Sequence, residues 1–166
     1  MSIICTTLYT NLDMTNDGDI EYNRDLLNID HDIGEFKITR DMVVAFSKAV
    51  GETDPKHIGD NSGEGNIVAP ATFCNIFMPG LNRPNLELAF GNATLFAGQS
   101  LECRKEIRPG DNLKGTTRLN KVYSKTGRSG KMVFAIWETT FSNSNFETVT
   151  KIFDSFVTRE IAGIQG

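Results

Sequence analysis

Four runs in the second half of the chain set the strongest constraint on its fold. LFAGQSLECRKEI, NLKGTTRLNKVYSKT, KMVFAIWETTFS and FETVTKIFDSFVTREI each mix β-branched and aromatic residues with polar ones in alternation. Successive side chains of an extended backbone point to opposite faces, so each run reads as a strand with a buried side; in the third, Met132, Phe134 and Ile136 alternate against Val133, Ala135 and Trp137. Turn signals separate the runs. RPGD puts Pro109 and Gly110 at the two central positions of a type II turn, and GRSG and NSN divide the rest. A series of long antiparallel strands needs another layer over its apolar face.

The first half supplies that layer. In GEFKITRDMVVAFSKAVGE, Thr39 suits a helix N-cap, Asp41 the positive end of the helix, and Met42, Phe46, Ala49 and Val50 recur at helical spacing until Gly51. In APATFCNIFMPG, Pro70 suits a first turn, Phe73, Ile76 and Phe77 share a face, and Pro79-Gly80 stops the run, which predicts a short, almost wholly apolar buried helix. The expected fold class is therefore α+β, a curved antiparallel sheet wrapped around a central buried helix. Helix, loop, buried helix and a long meander of strands in that order form the pattern of the hot-dog fold. Residues 1–32, rich in Asn and Asp, read as an irregular N-terminal arm, and residues 33–166 as one domain.

Composition narrows the function. A chain of 166 residues with 39% hydrophobic residues fits a single core. The net charge of -4 is the wrong sign for a protein that binds by neutralising phosphates, so no nucleic-acid partner is expected. The 3 cysteines, Cys5, Cys74 and Cys103, have no Cys-x-x-Cys spacing, which argues against a disulfide framework or a zinc site and for a reducing, cytoplasmic setting. Neither a leader-like N-terminus nor a run near the roughly 20 apolar residues of a membrane span is seen, so a soluble chain is expected.

The stretch AVGETDPKHIGDNSGEGNIVAPATF gathers the candidate chemistry. Glu52, Asp54 and His57 lie within six residues, and Pro55 restricts the backbone between them. Imidazole exchanges protons near neutral pH, and a neighbouring carboxylate can orient it or share a water molecule with it. The bland reading is equally concrete: the two acids cap turns and His57 is a packing histidine. His31 sits in NIDHDIG, where Asp30 and Asp32 point away from it in extended chain, so a solvated turn is expected there and no metal. TGRSGKM lacks the spacer and the hydroxyl residue of a phosphate loop. Arg104, Lys105, Arg108, Lys125, Arg128 and Lys131 could face the phosphates of a long thioester, though a solvated surface explains most of them.

From about Gly34 to Arg159 the chain resembles the MaoC-like hot-dog hydratases and dehydratases, in particular their FAS1-like dehydratase branch. FSKAVGETDPKH, IVAPATF, AGQSLECRKEIRPGDNL and KTGRSGKMVFAIWETTFSN carry the resemblance. It implies reversible addition of water across the 2,3-double bond of acyl thioesters, as in (R)-specific enoyl-CoA hydratases and 3-hydroxyacyl thioester dehydratases, with no cofactor and with pairing into dimers or heteromers. In the family motif Gly-Asp-x-Asn-Pro-x-His, the Asp and His hold the reacting water. Glu52 falls on that Asp, Asp54 on the Asn, Pro55 on the Pro and His57 on the His, so that Glu52 or Asp54 is the acid beside His57. Active members continue Ile-Val-His-Gly and use the glycine amide to polarise the thioester carbonyl. Here the chain reads IVAPAT, and Pro70 has no N–H to donate; the amides of Ala71 or Thr72 are the substitutes, with Phe73, Phe77 and Met78 toward the acyl pocket. The resemblance therefore implies two functions, a hydro-lyase or a non-catalytic acyl-binding subunit beside a catalytic hot-dog partner. Thioesterases share the fold, but the hydratase-type loop points away from them.

Overall fold

The computed structural model describes residues 20–59, 67–78, 83–128 and 130–161. Most of the N-terminal arm, Cys5 and the Pro79-Gly80 stop lie outside the described residues.

Five strands, β1 (His31–Lys37), β2 (Ala93–Cys103), β3 (Asn112–Gly127), β4 (Gly130–Ser142) and β5 (Thr148–Arg159), form one sheet in the order β1-β3-β4-β5-β2, with every pair antiparallel. The four runs read as strands in the sequence are β2 to β5; β1 is not among them. Only β3, β4 and β5 follow one another across the sheet: β2 pairs with β5 at the far edge, so the RPGD corner joins strands that are not neighbours. That corner forms as the sequence predicts, with Gly110 at φ 97 and the Asp111 amide donating to the Arg108 carbonyl at 3.1 Å.

Alternation along β4 puts Val133, Ala135, Trp137, Thr139 and Phe141 on one face, and all are buried. Two clusters cover that face. At one end Phe141, Leu113 and Ile152 meet Val43 of helix α1 (Arg40–Ala49) and Phe73. At the other end Leu119, Val133, Ala135 and Trp137 meet Ile20, Tyr22 and Leu26, with Leu86, Leu88 and Phe90 packed against them. On the opposite face Glu138, only 3% exposed, accepts hydrogen bonds from Arg118 at 3.0 Å, from Asn120 at 3.0 Å and from Lys151 at 2.5 Å.

Helix α1 begins as expected, with Thr39 Oγ1 accepting from the Met42 amide at 3.3 Å. The segment expected to be the central helix is instead a 3₁₀ helix, Phe73–Phe77. The prolines at 70 and 79 leave too few residues to offset the cost of nucleating an α-helix, and Thr72 and Ile76 are β-branched. What that segment contributes is its rings: Phe73 meets Phe46 edge-on at 5.6 Å, and Phe77 lies 4.3 Å from Phe36.

Candidate active site

The loop after α1 is built by backbone chemistry. Gly51, at φ 74, takes the left-handed conformation that turns the chain out of the helix, and the Glu52 amide then donates to the Ser47 carbonyl at 2.9 Å. The Glu52 carboxylate folds back over its own loop, where Oε1 accepts from the amides of Thr53 at 2.9 Å and Asp54 at 3.0 Å. Those two amides, Asp54 first, hold the Glu52 carboxyl below the usual glutamate range. The one-turn helix α2 (Pro55–Ile58) follows, with Pro55 in its first turn and Asp54 as its N-cap. Asp54 Oδ1 accepts from the Lys56 amide at 3.0 Å and Oδ2 pairs with Lys56 Nζ at 3.2 Å, contacts that also lower its pKa.

His57 is fixed from both sides. Ser47, fully buried on α1, has its hydroxyl 2.8 Å from the Val43 carbonyl and 3.0 Å from that of His57, which joins the two helices. The imidazole Nδ1 lies 2.6 Å from the Val68 carbonyl oxygen, and the Val68 amide donates to the Lys56 carbonyl at 2.8 Å. A carbonyl oxygen can only accept, which assigns the proton of the neutral ring to Nδ1 and leaves a lone pair on Nε2. That Nε2 lies 4.0 Å from Glu52 Oε2, with the His57 side chain 13% exposed and that of Glu52 31%. A water molecule placed about 2.8 Å from both atoms would subtend an angle of about 90°, close to what one water donating two hydrogen bonds requires. The pair can thus bind a water through two acceptors, one of them a base.

Of the residues expected at the site, the structure therefore brings His57 and Glu52 together and assigns Asp54 to capping. Ala71 and Thr72 are exposed at the start of the 3₁₀ helix. The Pro70 carbonyl is taken by the Phe73 amide at 2.9 Å, and the amides of Ala71 and Thr72 meet no acceptor among the described residues. Ala71 lines a cavity of about 430 Å³ together with Val68, Pro70, Cys103 and Lys105. Phe73 is 0% exposed and packs in the core. Phe77 is only partly buried, as is Met78.

Three of the basic candidates find carboxylate partners. Arg104 pairs with Glu102 at 2.9 Å, Lys105 with Glu147 at 2.6 Å and Arg108 with Glu106 at 2.5 Å, which reduces their pull on a phosphate. Asp30 and Asp32 turn to Arg118 and Lys114 instead of His31, which is half-buried with its Nε2 enclosed and not in a solvated turn. Burial pushes the Cys74 thiol up to about 12 and also raises that of Cys103, so neither is poised as a thiolate. Among the described residues no group of His, Cys, Asp and Glu could hold a metal ion, and no helix is long and apolar enough to cross a membrane.

Two supports were missed in the sequence. Ser47 is a polar residue on an apolar helix face, a readable though weak signal. The Val68 carbonyl is a backbone group, and no side chain announces it.

The fold and the loop define a hot-dog hydratase or dehydratase framework, and the family is explicit in sequence: residues 29–152 match the FAS1-like, dehydratase domain region. The chain belongs to that family. Solved structures share the fold at low identity. The C-terminally truncated HadBC (3R-hydroxyacyl-ACP dehydratase) complex from Mycobacterium tuberculosis is 17% identical with a TM-score of 0.62, covering 80% of this chain and 97% of that one. The MaoC-like dehydratase from Rhodospirillum rubrum is 18% identical with a TM-score of 0.59, covering 85% and 98%. The (R)-hydratase PhaJ1 from Pseudomonas aeruginosa is 15% identical with a TM-score of 0.54, covering 84% and 90%. A search of curated protein sequences finds no match.

Proposed function

We propose that the protein is an (R)-specific enoyl thioester hydratase, working in reverse as a 3-hydroxyacyl thioester dehydratase in the cytoplasm. The observation that carries this reading is the His57–Glu52 pair, a lone pair on Nε2 facing an ionised carboxylate at 4.0 Å. A water bound between them loses a proton to Nε2 as its oxygen bonds to C3 of the enoyl group. The proton is then delivered to C2, so that H and OH are added across the double bond and the ring returns to its starting state. The amides of Ala71 and Thr72 are the donors available to the thioester oxygen as negative charge develops there. Phe77 and Met78 form the apolar side of the acyl pocket in this reading.

A second reading, a non-catalytic acyl-binding subunit beside a catalytic partner, is favoured by Pro70, which removes an amide from the helix start. The HadBC complex supports the idea of a two-chain assembly. Strand β2 is an edge with Leu95 51% and Phe96 58% exposed, the kind of surface that a second hot-dog subunit, identical or not, would cover.

The test is incubation of the purified protein with crotonyl-CoA and longer enoyl-CoAs, followed by chiral analysis of the product. Formation of the (R)-3-hydroxyacyl thioester supports the first reading, and the (S)-product contradicts it. No turnover at any chain length supports the subunit reading.

A further inference from the structure

A second cavity, of about 510 Å³, lies at the other end of the covered face, beneath the segment from Arg83 to Thr94 and away from the Glu52–His57 loop. Its walls are mainly apolar, with Leu86, Leu88, Phe90, Trp137 and Phe156, and carry polar groups from Asn92, Thr94 and Thr158 as well. One charged group enters it. The Arg83 guanidinium carbon lies 5.7 Å from the centre of the Trp137 ring and 5.4 Å from that of Phe156, so two aromatic rings fix its position. Nη2 is paired with Asp154, itself 4% exposed, and Asp154 takes a further hydrogen bond from Gln99 Nε2 at 2.8 Å. The rest of the guanidinium is unused: Nε is enclosed without an acceptor, and Nη1 meets none among the described residues.

An arginine only 18% exposed, whose charge is already paired and whose Nη1 meets no acceptor among the described residues, selects a particular ligand. Donors left unmade inside a protein are costly, so an incoming oxygen acceptor gains a charge-assisted bond. A carboxylate would add a second negative charge beside Asp154 in a poorly solvated site, and like charges there repel strongly. We infer that this cavity is a second binding site, for a small uncharged molecule with an aromatic or aliphatic body and one carbonyl or hydroxyl oxygen that bonds to Arg83. It is separate from the proposed hydration site and does not depend on that reaction.

Trp137 is the chain's only tryptophan, and it reports on this cavity directly. Its emission is followed while the protein is titrated with benzylacetone, with butylbenzene, which lacks the oxygen, and with hydrocinnamate, which replaces the methyl ketone by a carboxylate. The expected result is saturable binding of benzylacetone, with both other probes about tenfold weaker or more. Arg83→Met should bind benzylacetone no better than butylbenzene. Ala135→Leu pushes a larger side chain into the cavity beside Trp137 while leaving the Arg83–Asp154 pair intact, and should weaken the saturable change with every probe about tenfold or more. Should Arg83→Met fail to fold, the wild-type series and Ala135→Leu decide. The proposal is overturned if wild type shows no saturable change, if butylbenzene or hydrocinnamate binds as tightly as benzylacetone, or if Ala135→Leu binds like wild type.

Discussion

His57 Nε2 faces Glu52 Oε2 at 4.0 Å, while Nδ1 on the other side of the ring is held by the Val68 carbonyl at 2.6 Å. The ring is thereby fixed in tautomer and direction, and the longer acid reaches it because Oε1 is anchored to the loop amides and Oε2 is left pointing outward. A glutamate in place of the family's aspartate is accommodated by local folding of the side chain.

Asp54 offers a test of the proposed role of Glu52. Because its oxygens are committed to the Lys56 amide and ammonium group, Asp54→Asn should keep hydration within a few-fold of wild type. Glu52→Gln should lower it by about a hundredfold or more, in the range of lost general acid–base groups. Steady-state kcat/KM for both variants checks the assignment, and a larger loss for Asp54→Asn would exchange the two roles.

Pro70 removes a donor that active relatives of this type are expected to use. Pro70→Gly restores an amide beside those of Ala71 and Thr72, and one oxyanion donor is worth about a hundredfold in rate. Turnover of crotonyl-CoA should therefore rise at least several-fold in the variant. An unchanged or lower kcat in a folded variant would show that the Ala71 and Thr72 amides suffice.

Glu138 should set the acid stability of the sheet. Burial alone would raise its pKa, but the hydrogen bonds from Lys151 and Arg118 outweigh this and hold it below 4.5. A carboxyl depressed in the folded state stabilises the fold fully above its unfolded value, about 4.3, and loses that contribution as pH falls through the folded value. Urea midpoints should be flat from neutral pH to about 5 and fall below it. Glu138→Gln should lose about 3 kcal/mol at neutral pH and show a weaker acid dependence, since it leaves two cations facing an uncharged group.

Gly115 tests how closely β1 lies on β3. A Cβ there would stand 2.6 Å from Ile33 Cγ1 and 3.0 Å from Phe36 Cε2. Gly115→Ala should cost about 1–3 kcal/mol in urea unfolding, the usual range for overpacking. Ile33→Val in the same background should recover part of that loss.

Much of the fold was legible because it rests on local signals. The alternation of β4, the Thr39 cap and the RPGD corner are each fixed by residues close in sequence. Non-local choices were not legible: β2 docks on β5 instead of β3, and the Ala71–Met78 segment closes as a 3₁₀ helix because two prolines leave it too short. At the site, the sequence singled out His57 and an acid beside it. It could not choose between Glu52 and Asp54, because the choice depends on which carboxylate the loop amides and Lys56 capture. The apolar face that Phe73 shares with Ile76 and Phe77 is legible in the sequence, and it packs Phe73 against Phe46.

The most direct test of the central claim is the rate of crotonyl-CoA hydration by wild type and His57→Ala, with unfolding midpoints measured on both. Wild type should turn over, and His57→Ala, folded and of similar stability, should lose about a hundredfold or more in kcat. A folded His57→Ala that hydrates as fast as wild type would contradict that claim.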